Sequence, residues 1–324
     1  MVRGPLPPGS KTGGAIVRAG LRAGIALAMI LAAPAGAAEI ARGDAAWERR
    51  AVGQAAGRAR PEPLREAISA YEAAVSARPY DLEARWKLVR ALWFAGEFAS
   101  ADEAEERAVY ERARASAEPA VDSLSARLGS PSSDEAYARP DALRARLAPA
   151  ERSDAAHLYF WAAVGLGAWS RSAGLVEAVR AGAANRLHEY TVVSIALDPS
   201  VEGGGALRLL SRIHAELPRV PLLSGFVDRS RALPLAARAA AEYPDHPGNP
   251  YLVGLTLLEL APERRAEALR LVEQAASLEP RPEQLVEDTA LRLGARSRLA
   301  AEGGVDRSSQ EEPDADPGTR DRAA

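Results

Sequence analysis

The chain contains no cysteine in its 324 residues. That absence excludes disulfides, Cys-ligated zinc, a thiol nucleophile and a lipid-modified amino-terminal cysteine. Aromatic residues make up only 5%, so most of the apolar content is Ala, Leu and Val. Runs of alternating β-branched residues bounded by turn pairs, the mark of strands, are missing. Histidine is scarce. His157, His188, His214 and His246 are the four present, none at helix-neighbour spacing from another and none in an H-E-x-x-H pattern. A histidine-based metal site would have to draw carboxylates from elsewhere, and no metal or other cofactor is expected.

A basic surplus is missing from the body of the chain. Residues 1–38 carry Arg3, Lys11, Arg18 and Arg22 and no acid, in a chain of net charge −3, which leaves −7 on the rest. Nucleic-acid binding is dominated by phosphate neutralisation, so an acidic body argues against it.

The first 38 residues have the layout of a secretory signal. A basic, Gly/Pro-rich start leads into an apolar run from Ala23 to Ala33, then Pro34-Ala35-Gly36-Ala37-Ala38 and the first acid, Glu39. Cleavage after Ala37 or Ala38 fits the small-residue rule. The apolar run is shorter than the roughly 20 residues a membrane span needs. The expected location is therefore the periplasm, with no membrane span after cleavage. Gly4 to Thr12 resembles a phosphate-binding loop, but Ser10 separates Gly9 from Lys11 and neither strand nor amphipathic helix flanks it.

Residues 39–300 read as helices, an all-α body. Leu64, Ile68, Tyr71 and Val75 form one stripe at helical spacing; Leu82, Trp86, Val89 and Trp93 form the next. Residues 114–152 are punctuated by Gly129-Ser130-Pro131, Pro140 and Pro149 and read as an irregular spacer between N-terminal repeats (39–113) and C-terminal repeats (153–300). A helix from Asp154 to Gly174 is apolar nearly all round and should be central. Residues 301–324, with seven acids and three arginines, read as a disordered tail.

A repeat runs through the helices. Ala67, Tyr71, Ala74 and Pro79 set a frame. Ala101 and Ala108 recur 34 residues later, with Glu105 in the aromatic place and Ala113 in the proline place. Ala232, Ala239 and Pro244 repeat it, as do Ala268, Val272, Ala275 and Pro280 a further 36 residues on. Two alanines two helical turns apart let a neighbouring helix approach, and the proline ends the unit. The frame is similar to the tetratricopeptide repeat, which implies antiparallel helix hairpins stacked into an α-solenoid.

A narrower resemblance follows from Tyr159-Phe160-Trp161-Ala162-Ala163, Leu166-Gly167-Ala168-Trp169, Leu197-Asp198-Pro199 and a Gly-Gly turn. It continues through Leu207-Arg208-Leu209-Leu210, Leu217-Pro218, Pro221-Leu222, Ser224-Gly225, and Tyr243-Pro244 with Asn249. This order resembles the T component of tripartite ATP-independent periplasmic (TRAP) transporters, the TatT family, over about a hundred residues. The resemblance implies a non-enzymatic periplasmic repeat protein that pairs with a substrate-binding protein, forms homo-oligomers and holds a small organic ligand. The chain departs from the family in lacking the lipid-bearing cysteine, and in Ser200-Val201-Glu202 and Leu210-Ser211. The alternative is a generic envelope scaffold that binds proteins and has no transport role.

No catalytic constellation emerges. Ser224-Gly225 lacks the G-x-S-x-G frame and a leading strand, and suits a turn and helix cap, a role Asp228 can share. Gly165-x-Gly167 lies inside an apolar helix, where it serves close packing. Glu103, Glu105 and Glu106 make a solvated face, and His214 reads as a partly buried histidine. Trp161 and Trp169, eight residues apart, either pack in the core or line an apolar cleft. In the cleft reading, Tyr159 or Arg208 supplies polarity, Arg208 suits a ligand carboxylate, and His214 is a further candidate ligand-binding residue.

Overall fold

The computed structural model describes residues 35–221 and 223–310. The proposed export segment up to residue 34, including the Gly4 to Thr12 stretch, lies outside the described residues, as do residues 311–324. The described residues form fourteen α-helices and no strand. No described helix is long and apolar enough to cross a membrane.

The first four helices are α1 (Ala35–Glu48), α2 (Pro61–Ala77), α3 (Leu82–Ala99) and α4 (Glu103–Arg127). Two short ones follow, α5 (Ser133–Ala138) and α6 (Pro140–Arg144). The middle is built from α7 (Pro149–Ala173), α8 (Leu175–Arg180), α9 (Ala183–Leu197) and α10 (Gly205–Glu216). The chain continues with α11 (Ala232–Glu242), α12 (Gly248–Leu260), α13 (Arg265–Ala276) and α14 (Leu285–Gln310).

Local sequence sets where these helices begin. Asp81 accepts the Ala84 N–H at 3.0 Å and starts α3. Asp102 accepts the Glu105 N–H at 2.8 Å, while the Glu105 carboxylate takes the Ala101 N–H at 2.8 Å. The bonds to Ala84 and Glu105 satisfy orphan donors of the first turns and stabilise each helix by about 1 kcal/mol, while the Glu105 carboxylate ties down the residue before the cap. Pro61 and Pro149 stand at the openings of α2 and α7, where no backbone N–H is needed.

Consecutive long helices pack on one another from α1 to α4 and again from α9 to α14. The centre is α7, which packs on α3, α4, α9 and α10. Its burial is nearly all round, from Leu158, Tyr159, Phe160 and Trp161 to Leu166, Ala168 and Trp169, as its continuous apolar sequence implies. The largest core cluster follows it, reaching from Ala46 in α1 to Ile213 in α10. One smaller cluster joins the two ends of the chain: Val286 of α14 is buried with Ala59, Leu64 and Phe94.

Two segments differ from the sequence expectation. Residues 114–152 hold little spacer, because α4 runs on to Arg127 with Pro119 inside it. The buried stripe of α4 is Tyr110, Ala113, Ala117, Val121 and Leu124, and its small residues make a weak periodic signal. At the other end α14 continues to Gln310, past residue 300, where a tail was expected to begin.

The alanine frame holds where its residues are buried. Ala67, Tyr71 and Ala74 are fully buried, and so are Ala232, Ala239, Ala268 and Val272. The copy at Ala101 and Ala108 fails, since both are exposed; Tyr110 and Ala113 do the packing in that helix. A different regularity appears in space. Gly43 of α1 lies against Tyr71, where a Cβ would sit 2.4 Å from the ring. Gly96 of α3 meets Tyr110 in the same way, at 2.3 Å. Gly254 of α12 lies 3.0 Å from the Ala268 carbonyl and 3.1 Å from Val272, measured from such a Cβ. At Gly43 and Gly96 a missing side chain on the first helix makes room for the tyrosine ring of the second, and at Gly254 it lets the α13 backbone approach.

Gly96→Ala tests this packing. Alanine gains up to about 1 kcal/mol in helix propensity, but its methyl would overlap the buried Tyr110 ring. We expect a net loss of about 1–3 kcal/mol, measured by urea denaturation; a variant as stable as the parent refutes the close contact.

Candidate functional site

Where the two ends of the chain meet, α1, α3, α7, α10 and the start of α14 enclose a cavity of about 280 Å³. Its apolar wall is aromatic. Trp93 of α3 and Trp161 of α7 lie with ring centroids 5.3 Å apart, and Phe160 meets Trp161 edge-on at 5.0 Å. Trp47 of α1 meets Phe94 edge-on at 5.1 Å. Such pairs contribute about 0.5–1.5 kcal/mol beyond the area they bury.

The polar wall is rich in arginine. Arg281 grips Asp288 through Nε and Nη2, both at 2.8 Å, and its backbone N–H reaches the same carboxylate at 3.0 Å. Arg50, from the turn after α1, pairs with Glu287 at 2.9 Å and donates to the Glu283 carbonyl and the Gln284 side chain. Those bonds, buried Val286 and the close approach of Gly57 to the Ala290 backbone hold α14 against the N-terminal segment. Burial pushes the Glu287 carboxyl above the usual range, while Arg50 opposes the shift. Its Oε2 has no hydrogen-bond partner.

Arg208 of α10 is held by neutral acceptors. Nη1 donates to the Gly203 carbonyl and to Asn249 Oδ1, both at 2.7 Å, and Nη2 donates to the Glu202 carbonyl at 2.8 Å. Asn249 is itself fully buried, with Nδ2 within reach of the Gly203, Ala239 and Tyr243 carbonyls at 3.1, 3.1 and 2.6 Å. Burial lowers the Arg208 pKa to about 10, so the group stays charged at neutral pH. Beside it His246, with Nε2 3.3 Å from Nη2, is lowered to about 3 by burial and by the two neighbouring arginines, so it is neutral. Glu202, whose carbonyl holds Arg208, has a left-handed backbone with φ of 49°, a strained conformation of a kind that gathers at functional sites.

Arg90 of α3 is stacked between indoles, its guanidinium carbon 4.0 Å above the Trp47 ring and 4.8 Å from Trp86. Its Nε is buried without an acceptor, and burial lowers its pKa.

The structure brings together only part of the sequence-derived set. Trp161 and Arg208 line this cavity. Trp169 does not: it packs against α4, under the Arg114 guanidinium at 4.4 Å. Tyr159 is wholly buried and meets Tyr190 edge-on at 5.9 Å. Residues 159, 161 and 169 share a helix that is buried on every side, so they point to different neighbours. His214 is buried 6.0 Å from His188 and accepts the Asp228 N–H at 3.2 Å. Ser224 caps no helix; it closes its own turn, donating to the Pro218 carbonyl and accepting the Val220 N–H. Asp228 does cap, accepting the Ser230 N–H at 3.0 Å. Among the described residues no group of three or more His, Asp or Glu side chains is placed to hold a metal ion.

Arg90 is the main residue that sequence reasoning missed. The signal was present: it stands four residues after Trp86 and three before Trp93, inside an aromatic stripe, where a solvated charge is out of place. A larger cleft of about 450 Å³ lies between the α2–α3 turn and α4. Its one aromatic, Tyr80, is 83% exposed, so it lacks the converging buried groups of the aromatic cavity.

These features define an all-α protein with a buried aromatic and cationic cavity. No protein-family model matches the chain, and no curated protein matches it either.

Two outcomes follow from the buried polar groups. Asn249→Ala strips Arg208 of one acceptor and leaves backbone carbonyls unpaired, for an expected loss on the order of 2–4 kcal/mol in denaturant unfolding. Acid should also destabilise the fold. Burial lowers His188 from 6.5 to about 4, with His214 adding to the shift, and His246 to about 3. The stability these neutral rings contribute is complete above the unfolded value and is lost as pH falls toward the folded values, because the unfolded chain binds the protons first. The denaturation midpoint should fall between pH 6.5 and 4 by the equivalent of up to about 3 kcal/mol from His188; a flat profile contradicts the assignment.

Proposed function

We propose that this chain is a periplasmic, non-enzymatic binding protein with a tetratricopeptide-like solenoid body, resembling the TRAP transporter T component. In this reading it holds a small organic ligand in the aromatic cavity and pairs with a substrate-binding protein, as a homo-oligomer or alone. The observation that carries it is the cavity itself: five helices from the N-terminal, middle and C-terminal parts of the described chain converge on it, and aromatic walls with a few placed polar groups are the common form of a small-molecule site. The repeat assignment is supported by the Gly43–Tyr71, Gly96–Tyr110 and Gly254–Val272 contacts, one in each of three helix pairs. The non-enzymatic assignment is supported by the bonding of Ser224 and His214, which tie down a turn and a loop and do not face each other as nucleophile and base.

A second reading, the generic envelope scaffold, has one observation in its favour. The short helix α8 exposes Leu175 and Val176, at 80% and 61%, an apolar surface of the kind that protein partners cover.

Pull-down of the tagged full-length chain from native periplasm, with mass spectrometry of the partners and of the mature N-terminus, separates the two. Recovery of a periplasmic substrate-binding protein, with an N-terminus at Ala38 or Glu39, is the expected result. Envelope partners without any transporter subunit would favour the scaffold. A cytoplasmic protein retaining residues 1–38 would overturn both.

A further inference from the structure

The cavity's charges do not cancel. Arg281 is matched by Asp288 and Arg50 by Glu287. With Glu287 taken by Arg50, which stands behind the lining, two cations remain on the wall, Arg90 and Arg208, against one carboxylate, Glu202. Glu202 acts on both arginines through space, but neither makes an ion pair with any carboxylate among the described residues. The balance is one unmatched positive charge.

Arg90 and Arg208 are both half-buried, and holding guanidinium groups partly out of water without a carboxylate is unfavourable unless an anion completes them. The way each is held agrees with that. The Trp47 and Trp86 rings stack on the Arg90 guanidinium and the Tyr71 hydroxyl meets its edge, which leaves Nε as the donor free to bond. Arg208 is fixed by three uncharged oxygens, which orient it without neutralising it. Two donors on the wall lack acceptors altogether, Arg90 Nε and Trp161 Nε1, and buried donors are rarely left so. Trp161 is only 6% exposed.

We propose that the cavity binds an apolar monocarboxylate, its carboxylate shared by Arg90 and Arg208 and its body lying against Trp161, Trp93 and Phe160. A single negative charge balances the site, and a second would not be matched. The volume corresponds to roughly nine waters of liquid, which sets the guest at on the order of ten non-hydrogen atoms. This rests on the cavity being the ligand site.

The test is titration of the purified full-length chain with three probes: phenylacetate, its neutral isostere phenylacetamide, and the dianion phenylmalonate. Trp47, Trp93 and Trp161, three of the five tryptophans, line the cavity, so intrinsic fluorescence reports occupancy and calorimetry gives the affinity. Phenylacetate should bind at least tenfold more tightly than either other probe. Arg90→Met keeps the apolar stem between the indoles and removes the charge. It should lower phenylacetate affinity tenfold or more and abolish the preference for acid over amide. Circular dichroism verifies that the variant is folded. Should it unfold, the comparison of acid with amide on the parent chain decides alone. Equal binding of acid and amide overturns the monocarboxylate while leaving the cavity a ligand site. Tighter binding of the dianion overturns the single charge, and undiminished affinity in folded Arg90→Met overturns the role of that residue. Binding of none of the three, with fluorescence unchanged, removes the proposal and its underlying reading together.

Discussion

The contact between the start of α14 and the N-terminal helices is the constraint on which the site depends. Val286 enters an apolar cluster with Ala59, Leu64 and Phe94, and Arg50 ties down the first turn through Glu287, Gln284 and the Glu283 carbonyl. Residues more than two hundred positions apart are joined there. Without that return, the aromatic rows of α3 and α7 would line an open face. With it they become the wall of a half-open cavity, in which charges interact more strongly than in bulk water. The contact is small beside the core around α7. The element that closes the site is therefore held by fewer interactions than the scaffold that carries it.

Within that volume the chain separates two kinds of arginine. Arg50 and Arg281 meet carboxylates and serve as struts. Arg90 and Arg208 are held by ring faces and by neutral oxygens. The cost of keeping the second kind half-buried is met partly by Asn249, whose side chain joins Arg208 to three backbone carbonyls. This amide connects the α10 wall to the 239–249 segment, so the position of the guanidinium is set by the packing of α11 and α12.

Helix content and the central place of α7 were legible in the sequence, because continuous apolar character over 20 residues leaves a helix no solvent face. The alanine frames were legible where they coincide with burial, at Ala67 and Ala74 or Ala268 and Ala275. They misled at Ala101 and Ala108: alanine is equally acceptable to a packed and to a solvated helix face, so its spacing alone does not distinguish them. Pro119 and the small-residue stripe of α4 hid a 25-residue helix for a related reason. Of the candidate site, Trp161 and Arg208 were found from type and neighbourhood, whereas Trp169, Tyr159 and His214 were drawn in by proximity along one helix or in sequence.

By itself the sequence determined that the described chain is helical, which residues start several of its helices, and that one helix must lie at the centre. Those properties follow from local propensity, side-chain caps and the period of apolar residues, all short-range along the chain. The tertiary structure alone decided which arginines are paired, that Gly43 and Gly96 make room for tyrosine rings while Gly254 admits a neighbouring backbone, and that Trp47, Arg90, Trp161 and Arg208 face one volume. These depend on how helices pack in space, for the cavity on helices far apart in the chain meeting. Such meetings are set by the summed packing of everything between them, which no local spacing encodes.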